Sequence, residues 1–254
     1  MAVVAVVEAD TVLGRVLCAE LAAHGHGVLA HCRDAAAGPP GAVDPGAVDP
    51  GSGGVREGSP PSGTILRLTA DAVDDALPDW HAAHGPIEHV VLVQPDAGPA
   101  PPPGADGHDA FIDALEAELV GFLATLQAAG RLLIRGEGAQ IWAITRDDSA
   151  SHYLPGAPPP MAMRARHAAV KSVGKELYRF GVRVNAATVQ TLAEQADPAD
   201  WRAARHGLKA FAMKFRPIGA EAVAGTLRRY LEQPDLPVAA MIVPIGIGMP
   251  ENNV

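Results

Sequence analysis

The chain has 254 residues, 48% of them hydrophobic and 19% charged, with a formal net charge of −9. That apolar share can fill one large core or two small ones, and the balance of 29 Asp+Glu against 20 Lys+Arg argues against a nucleic-acid partner. Two cysteines, Cys18 and Cys32, exclude a disulfide framework and a cysteine-based metal site, and suit a reducing cytoplasm.

Met1–Val7 (MAVVAVV) is apolar but has no basic flank and runs straight into Glu8 and Asp10. It is expected to be a strand, not a signal peptide. No run of about 18 apolar residues offers a membrane span. The expectation is a cytoplasmic protein.

Val3–Val7 is a short continuous apolar run, the mark of a buried parallel strand. Val12, Val16, Leu17 and Leu21 then follow helical spacing over Val12–Ala23, and His24-Gly25-His26-Gly27 ends that helix. Val28–Cys32 reads as a second strand, which completes a βαβ unit. Gly38–Gly63 breaks the pattern. It holds GAVDP twice in tandem, at Gly41–Pro45 and Gly46–Pro50, then GSGG and SPPSG. Two copies are too few for a solenoid, so a flexible surface insertion is expected.

The alternation resumes with a strand at Thr64–Leu68, a helix at Asp71–His84 and a buried strand at Glu88–Val93. A proline-rich loop, Ala97–Asp106, leads to a long helix at Asp109–Arg135 and a strand at Ala139–Thr145. A second Pro/Gly loop, Ser149–Pro160, precedes a helix at Met161–Phe180 and a strand at Val182–Thr188. A helix at Ala220–Gln233 and a strand at Val238–Val243 close the series. Seven strands alternating with helices predict one domain over residues 1–254 with the 38–63 insertion inside it. The predicted fold is α/β: a Rossmann-like, doubly wound parallel sheet with helices on both faces. Ligands of such sheets sit beyond the carboxyl ends of the strands, so the loops after Val7, Val93, Thr145 and Thr188 carry the interest. His81 and His84 have i,i+3 spacing without a third ligand in view, so no metal site is expected.

Several segments carry a family resemblance: the N-terminal βαβ unit, GEGAQIWAIT (136–145), RHAAVKSVGKEL (166–177), GVRVNAATV (181–189) and KFRPIGAEAVAGTL (214–227). This layout resembles the short-chain dehydrogenase/reductase family, particularly its ketoacyl-reductase-like members, over nearly the whole chain. GVRVNA is similar to the family's GIRVNAVAPG, and RPIGAEAVA to its RPGxPEEVA.

The resemblance implies positions for cofactor and catalysis, and the chain departs from the family at most of them. The family's TGxxxGIG loop, whose glycines let the backbone approach a pyrophosphate, falls on Val7–Gly14. Only Gly14 is kept; Glu8 and Val12 replace the other two glycines. A carboxylate about 4 Å from a phosphate charge costs about 4 kcal/mol at an effective dielectric of about 20, or roughly a thousand-fold in affinity. Arg33 stands where NADP-preferring relatives often place a basic residue. Leu68 replaces the family's adenine-contacting Asp. The NNAG turn aligns with Pro95-Asp96-Ala97-Gly98, and the later PG with Val189-Gln190.

Of the family's Asn, Ser, Tyr and Lys tetrad, Asn falls on Glu118 and Ser on Arg146 or its neighbour Thr145. The YxxxK pair falls on Met163 and His167, with a rival register in which His167 and Lys171 fill the two places. Tyr153 is a further candidate acid, but Ala157 stands at its i+4 position. Losing a matched general acid and its partner forfeits a contribution of typically 10²- to 10⁴-fold.

Three functions follow as expectations. The first is a degenerate member of the fold, with no cofactor, acting as a noncatalytic partner in polyketide or fatty-acid-like metabolism. It would form a homo-oligomer, or a hetero-oligomer with an active reductase, through the long central helices and the C-terminal strand. The second is a cofactor-independent acid/base enzyme (cyclase, dehydratase or isomerase) using Glu118 and His167. The third is an NADP-dependent ketoreductase with relocated residues. An enzymatic reading implies a small-molecule or acyl-carrier-bound substrate.

Overall fold

The computed structural model describes residues 2–33, 39–43, 62–70, 72–95, 107–146, 160–195, 217–233 and 235–246. The elements run β1 (Val3–Val7), α1 (Val12–Ala23), β2 (Gly27–His31), β3 (Ile65–Leu68), α2 (Val73–His84), β4 (His89–Val93), α3 (Gly107–Leu133), β5 (Gln140–Arg146), α4 (Pro160–Leu177), β6 (Arg183–Val189), α5 (Ala220–Leu231) and β7 (Ile242–Ile245). The seven strands form one sheet in the order β3-β2-β1-β4-β5-β6-β7, and every neighbouring pair is parallel. The predicted doubly wound fold is therefore the fold found. The order reverses between β1 and β4, which opens a crevice at their carboxyl ends.

Alternate residues of each strand feed two cores. Val4, Val6, Val28, Ala30, Val91 and Trp142 pack against α1 and α5. Val3, Ala5, Leu29, Val90, Leu92 and Ile141 pack against α2, α3 and α4. Burial on both faces is why the strands read as unbroken apolar runs. Trp142 is fully buried and stacks on Tyr230 of α5, with ring centroids 5.1 Å apart.

The amino edge of the sheet is polar, and several of its side chains bond to backbone carbonyls. Gln140 donates through Nε2 to the carbonyls of Tyr230 and Leu231, and Arg183 donates to those of Leu236 and Gly138. Gln140 thereby supplies a partner to carbonyls in the last turn of α5, and Arg183 to carbonyls of the neighbouring loops. Asn185, fully buried, donates to the Val238 carbonyl and accepts from the Met241 N–H.

That clamp corrects one sequence expectation. The last strand does not run over Val238–Val243; it begins at Ile242. Asn185 holds both sides of the 238–241 segment, and Ala240 adopts φ 57°, so pairing with β6 starts only beyond it. Gly174 of α4 makes room for this crossing, since a Cβ there would lie 2.9 Å from Ala240 and from the Val184 carbonyl. Helix α4 also stops earlier than the predicted Phe180. A 3-10 turn spans Tyr178–Phe180, and Gly181 in the left-handed region (φ 79°) closes it.

The insertion is not loose throughout. Val43, in the first GAVDP copy, forms a parallel bridge with Leu66, taking the Ile65 carbonyl at 3.0 Å and receiving the Arg67 N–H at 3.0 Å. Ser62 and Gly63 fasten the other end through the Gly25 and His26 carbonyls. Residues 44–61 lie outside the described residues, as do both predicted Pro/Gly loops apart from Pro160.

Candidate functional site

At the β1 end of the crevice, the turn after Val7 folds back onto the start of α1. Thr11 caps the helix: its Oγ1 donates to the Glu8 carbonyl at 2.8 Å and accepts from the Gly14 N–H at 3.0 Å. A Cβ on Gly14 would sit 2.5 Å from the Glu8 carbonyl oxygen and 2.8 Å from Ala9 Cα. The one retained loop glycine thus serves the contact between turn and helix. Val12 is the first helical residue and half-buried.

Glu8 adopts φ 62°, a left-handed conformation that suits glycine and strains other residues. Its carboxylate is buried, and Oε1 accepts from Arg33 Nε at 2.7 Å. Burial raises the Glu8 pKa, while the charge and hydrogen bond of Arg33, and more weakly the charge of Arg166, lower it. His31 buttresses the turn. Its Nδ1 takes the Glu8 N–H at 3.4 Å and its Nε2 meets the Ala70 carbonyl at 3.2 Å. Those two contacts require the neutral tautomer with hydrogen on Nε2, and burial depresses the His31 pKa to match.

The β5 end has a different arrangement. Thr145 and His167 are both buried, and Thr145 Oγ1 lies 2.8 Å from His167 Nε2. The hydroxyl also lies 3.4 Å from the Ala187 carbonyl. Met163, one turn before His167 on α4, is buried. Arg146 turns away from its neighbour: its backbone N–H donates to Gln94 Oε1 at 3.0 Å, and its guanidinium donates to the Pro95 carbonyl at 3.1 Å. It ties the end of β5 to the end of β4. Gln190 is buried after β6, and Leu68 lies in the apolar core.

The structure therefore brings together Glu8 with Arg33, and Thr145 with His167. Glu118 lies on α3 with its side chain outside the described residues, and Tyr153 lies outside them altogether. Arg166 is a site residue that single-position matching overlooks. It is 3% exposed, and its guanidinium stands 4.8 Å from the centre of the Phe122 ring of α3. The signal for it is helical phase, because Met163, Arg166, His167 and Val170 form one inward stripe of α4. Among the described residues no three His, Cys, Asp or Glu side chains gather as metal ligands, and no helix is long and apolar enough to cross a membrane.

A dinucleotide needs a free helix N-terminus and close backbone approach at the first turn. The residues here do not match that need. The Gly14 N–H is taken by Thr11, and a buried carboxylate stands in place of a glycine hydrogen.

No protein-family model matches the chain, and no curated protein sequence does. Solved structures do match. A short-chain type dehydrogenase/reductase from Mycobacterium ulcerans superposes with a TM-score of 0.71 at 20% identity, over 96% of this chain and 88% of that one. A structure described as a dehalogenation enzyme gives 0.69 at 19% identity, over 96% of each chain. Levodione reductase gives 0.68 at 17% identity, over 96% of this chain and 95% of that one. In its strand order, crevice and near-complete coverage, the chain has the fold of the short-chain dehydrogenase/reductase structures.

Proposed function

We propose that this chain keeps the short-chain dehydrogenase/reductase fold without nicotinamide hydride transfer, binds no cofactor, and acts as a noncatalytic partner subunit. The observation that carries this reading is the Glu8–Arg33 pair. A glutamate in the left-handed region buries its carboxylate at the first turn of the crevice, 2.7 Å from the arginine that would otherwise face a ribose phosphate. The substitutions at the tetrad positions agree with it, because Met163 offers no titratable group at the acid position.

The docking face in this reading is the outer side of α3 and the end of α4. Ile112, Val120 and Leu123 of α3 are exposed, as are Tyr178 and Phe180 after α4. Exposed apolar side chains on adjacent packed helices suit a helical interface with a second reductase-fold subunit, either a copy of this chain or an active relative. The deciding measurement is titration calorimetry with NADPH. The expected result is no binding heat up to millimolar ligand. A micromolar Kd would overturn this reading in favour of an NADP-dependent reductase.

A second reading, cofactor-independent acid/base catalysis, is favoured by one observation. Thr145 and His167 form a buried hydroxyl–imidazole contact at the ligand end of the sheet. Such a contact orients an imidazole for proton transfer. In this reading His167 moves the proton and Thr145 positions it.

A further inference from the structure

The turn after β1 places a carboxylate where backbone strain disfavours any residue but glycine, and buries it against a guanidinium. Strain at a ligand crevice points to a role for the strained residue. Arg33 is 65% exposed along its side chain, so solvent could satisfy it; it turns inward to Glu8 instead. Arg166 of α4, buried against Phe122, adds a weaker positive charge that Glu8 feels. Asp10 is occupied elsewhere, taking the Arg33 backbone N–H on Oδ2 at 3.2 Å.

We infer that the crevice retains an anion seat whose occupant is built into the chain: the Glu8 carboxylate fills the place of a phosphate on Arg33 and closes the site from within. The ligand class excluded by this contact is a phosphomonoester, free or carried on a nucleoside. The inference rests on the reading above that the wild-type chain binds no dinucleotide, and it goes further by naming the residue that enforces this. No bond is made or broken; the exchange is one anion for another on the same guanidinium.

Two substitutions test it. Glu8→Gln removes the charge and keeps the size. Glu8→Gly removes the side chain and relieves the φ 62° strain. Inorganic phosphate and adenosine 2′,5′-bisphosphate are titrated by calorimetry into the wild type, both variants, and each variant combined with Arg33→Ala, with circular dichroism confirming the fold. The expected outcome is at least tenfold tighter binding by a Glu8 variant than by wild type, lost again with Arg33→Ala. Tighter binding of both probes identifies the seat as one for phosphate itself; tighter binding of the bisphosphate alone identifies it as one for a nucleoside phosphate. If both folded variants bind no better than wild type, or if the gain survives Arg33→Ala, the built-in occupant is disproved while the noncatalytic reading stands. Binding of NADPH by wild type overturns that reading separately.

Discussion

The two edges of the sheet use polar residues in different proportions. At the amino edge, His26 meets the Glu232 carboxylate, but the other buried polar side chains that bond there serve the backbone. Gln140 and Arg183 meet carbonyls at the end of α5 and beyond it, and Asn185 clamps the segment before β7. At the carboxyl edge, backbone ties from Arg146 and His31 stand beside two side-chain pairs, Glu8 with Arg33 and Thr145 with His167. A side chain bound to backbone cannot be released without loosening the fold. A side chain bound to another side chain can be exchanged for a ligand of the same chemistry. The contrast separates framework from site where burial does not, because Glu8, Thr145 and His167 are as buried as Gln140, Arg183 and Asn185.

The largest effect expected at the amino edge is a pH effect. His89 is buried at the start of β4, and desolvation, with the nearby charges of His26 and Arg183, lowers its pKa from 6.5 to about 4. The folded state therefore favours the neutral ring. Its contribution is complete above pH 6.5 and is lost as pH falls toward 4, reaching about 3 kcal/mol at full loss. His31, also depressed by burial, acts in the same direction. Chemical denaturation between pH 7 and 4 measures the loss, and His89→Gln should flatten its slope. An unchanged slope would remove His89 from the framework.

At the carboxyl edge the largest stability effect should come from Gly14→Ala. The added Cβ meets the Glu8 carbonyl at 2.5 Å and can be accommodated only by moving the turn. A cost of about 1–3 kcal/mol is expected, read as a shift in urea midpoint. A neutral outcome would show that the turn is not held against α1. A smaller effect is expected from Thr145→Val, which removes the hydroxyl facing His167 Nε2, at about 1 kcal/mol. If the two edges differ as argued, this variant lowers the urea midpoint by that small amount and leaves the cooperativity of unfolding intact.

Much of the fold was legible because strands buried on both faces leave continuous apolar runs. Val3–Val7 and Val12–Ala23 match their predicted limits. The start of the last strand is not legible locally, because it depends on Asn185, more than fifty residues earlier, and no local pattern encodes that clamp. Val43 reads as part of a loose insertion because a single bridge to β3 leaves no periodicity. At the site, the replacement of a glycine by Glu8 was visible in the sequence, but its pairing with Arg33 was not. An acid at that position reads as repulsion toward a phosphate until the partner is seen. Arg166 opens the RHAAVKSVGKEL segment, yet its importance depends on Phe122 of a different helix.

The bridge at Val43 has a consequence for how the molecule meets its neighbours in a crowded solution. Open sheet edges are templates on which other chains can add strands. Here one edge strand, β3, has only four residues and carries Val43 beside it, and the other, β7, contains Pro244, which has no N–H to offer. Both margins are thereby made poor growth fronts for strand-by-strand accretion.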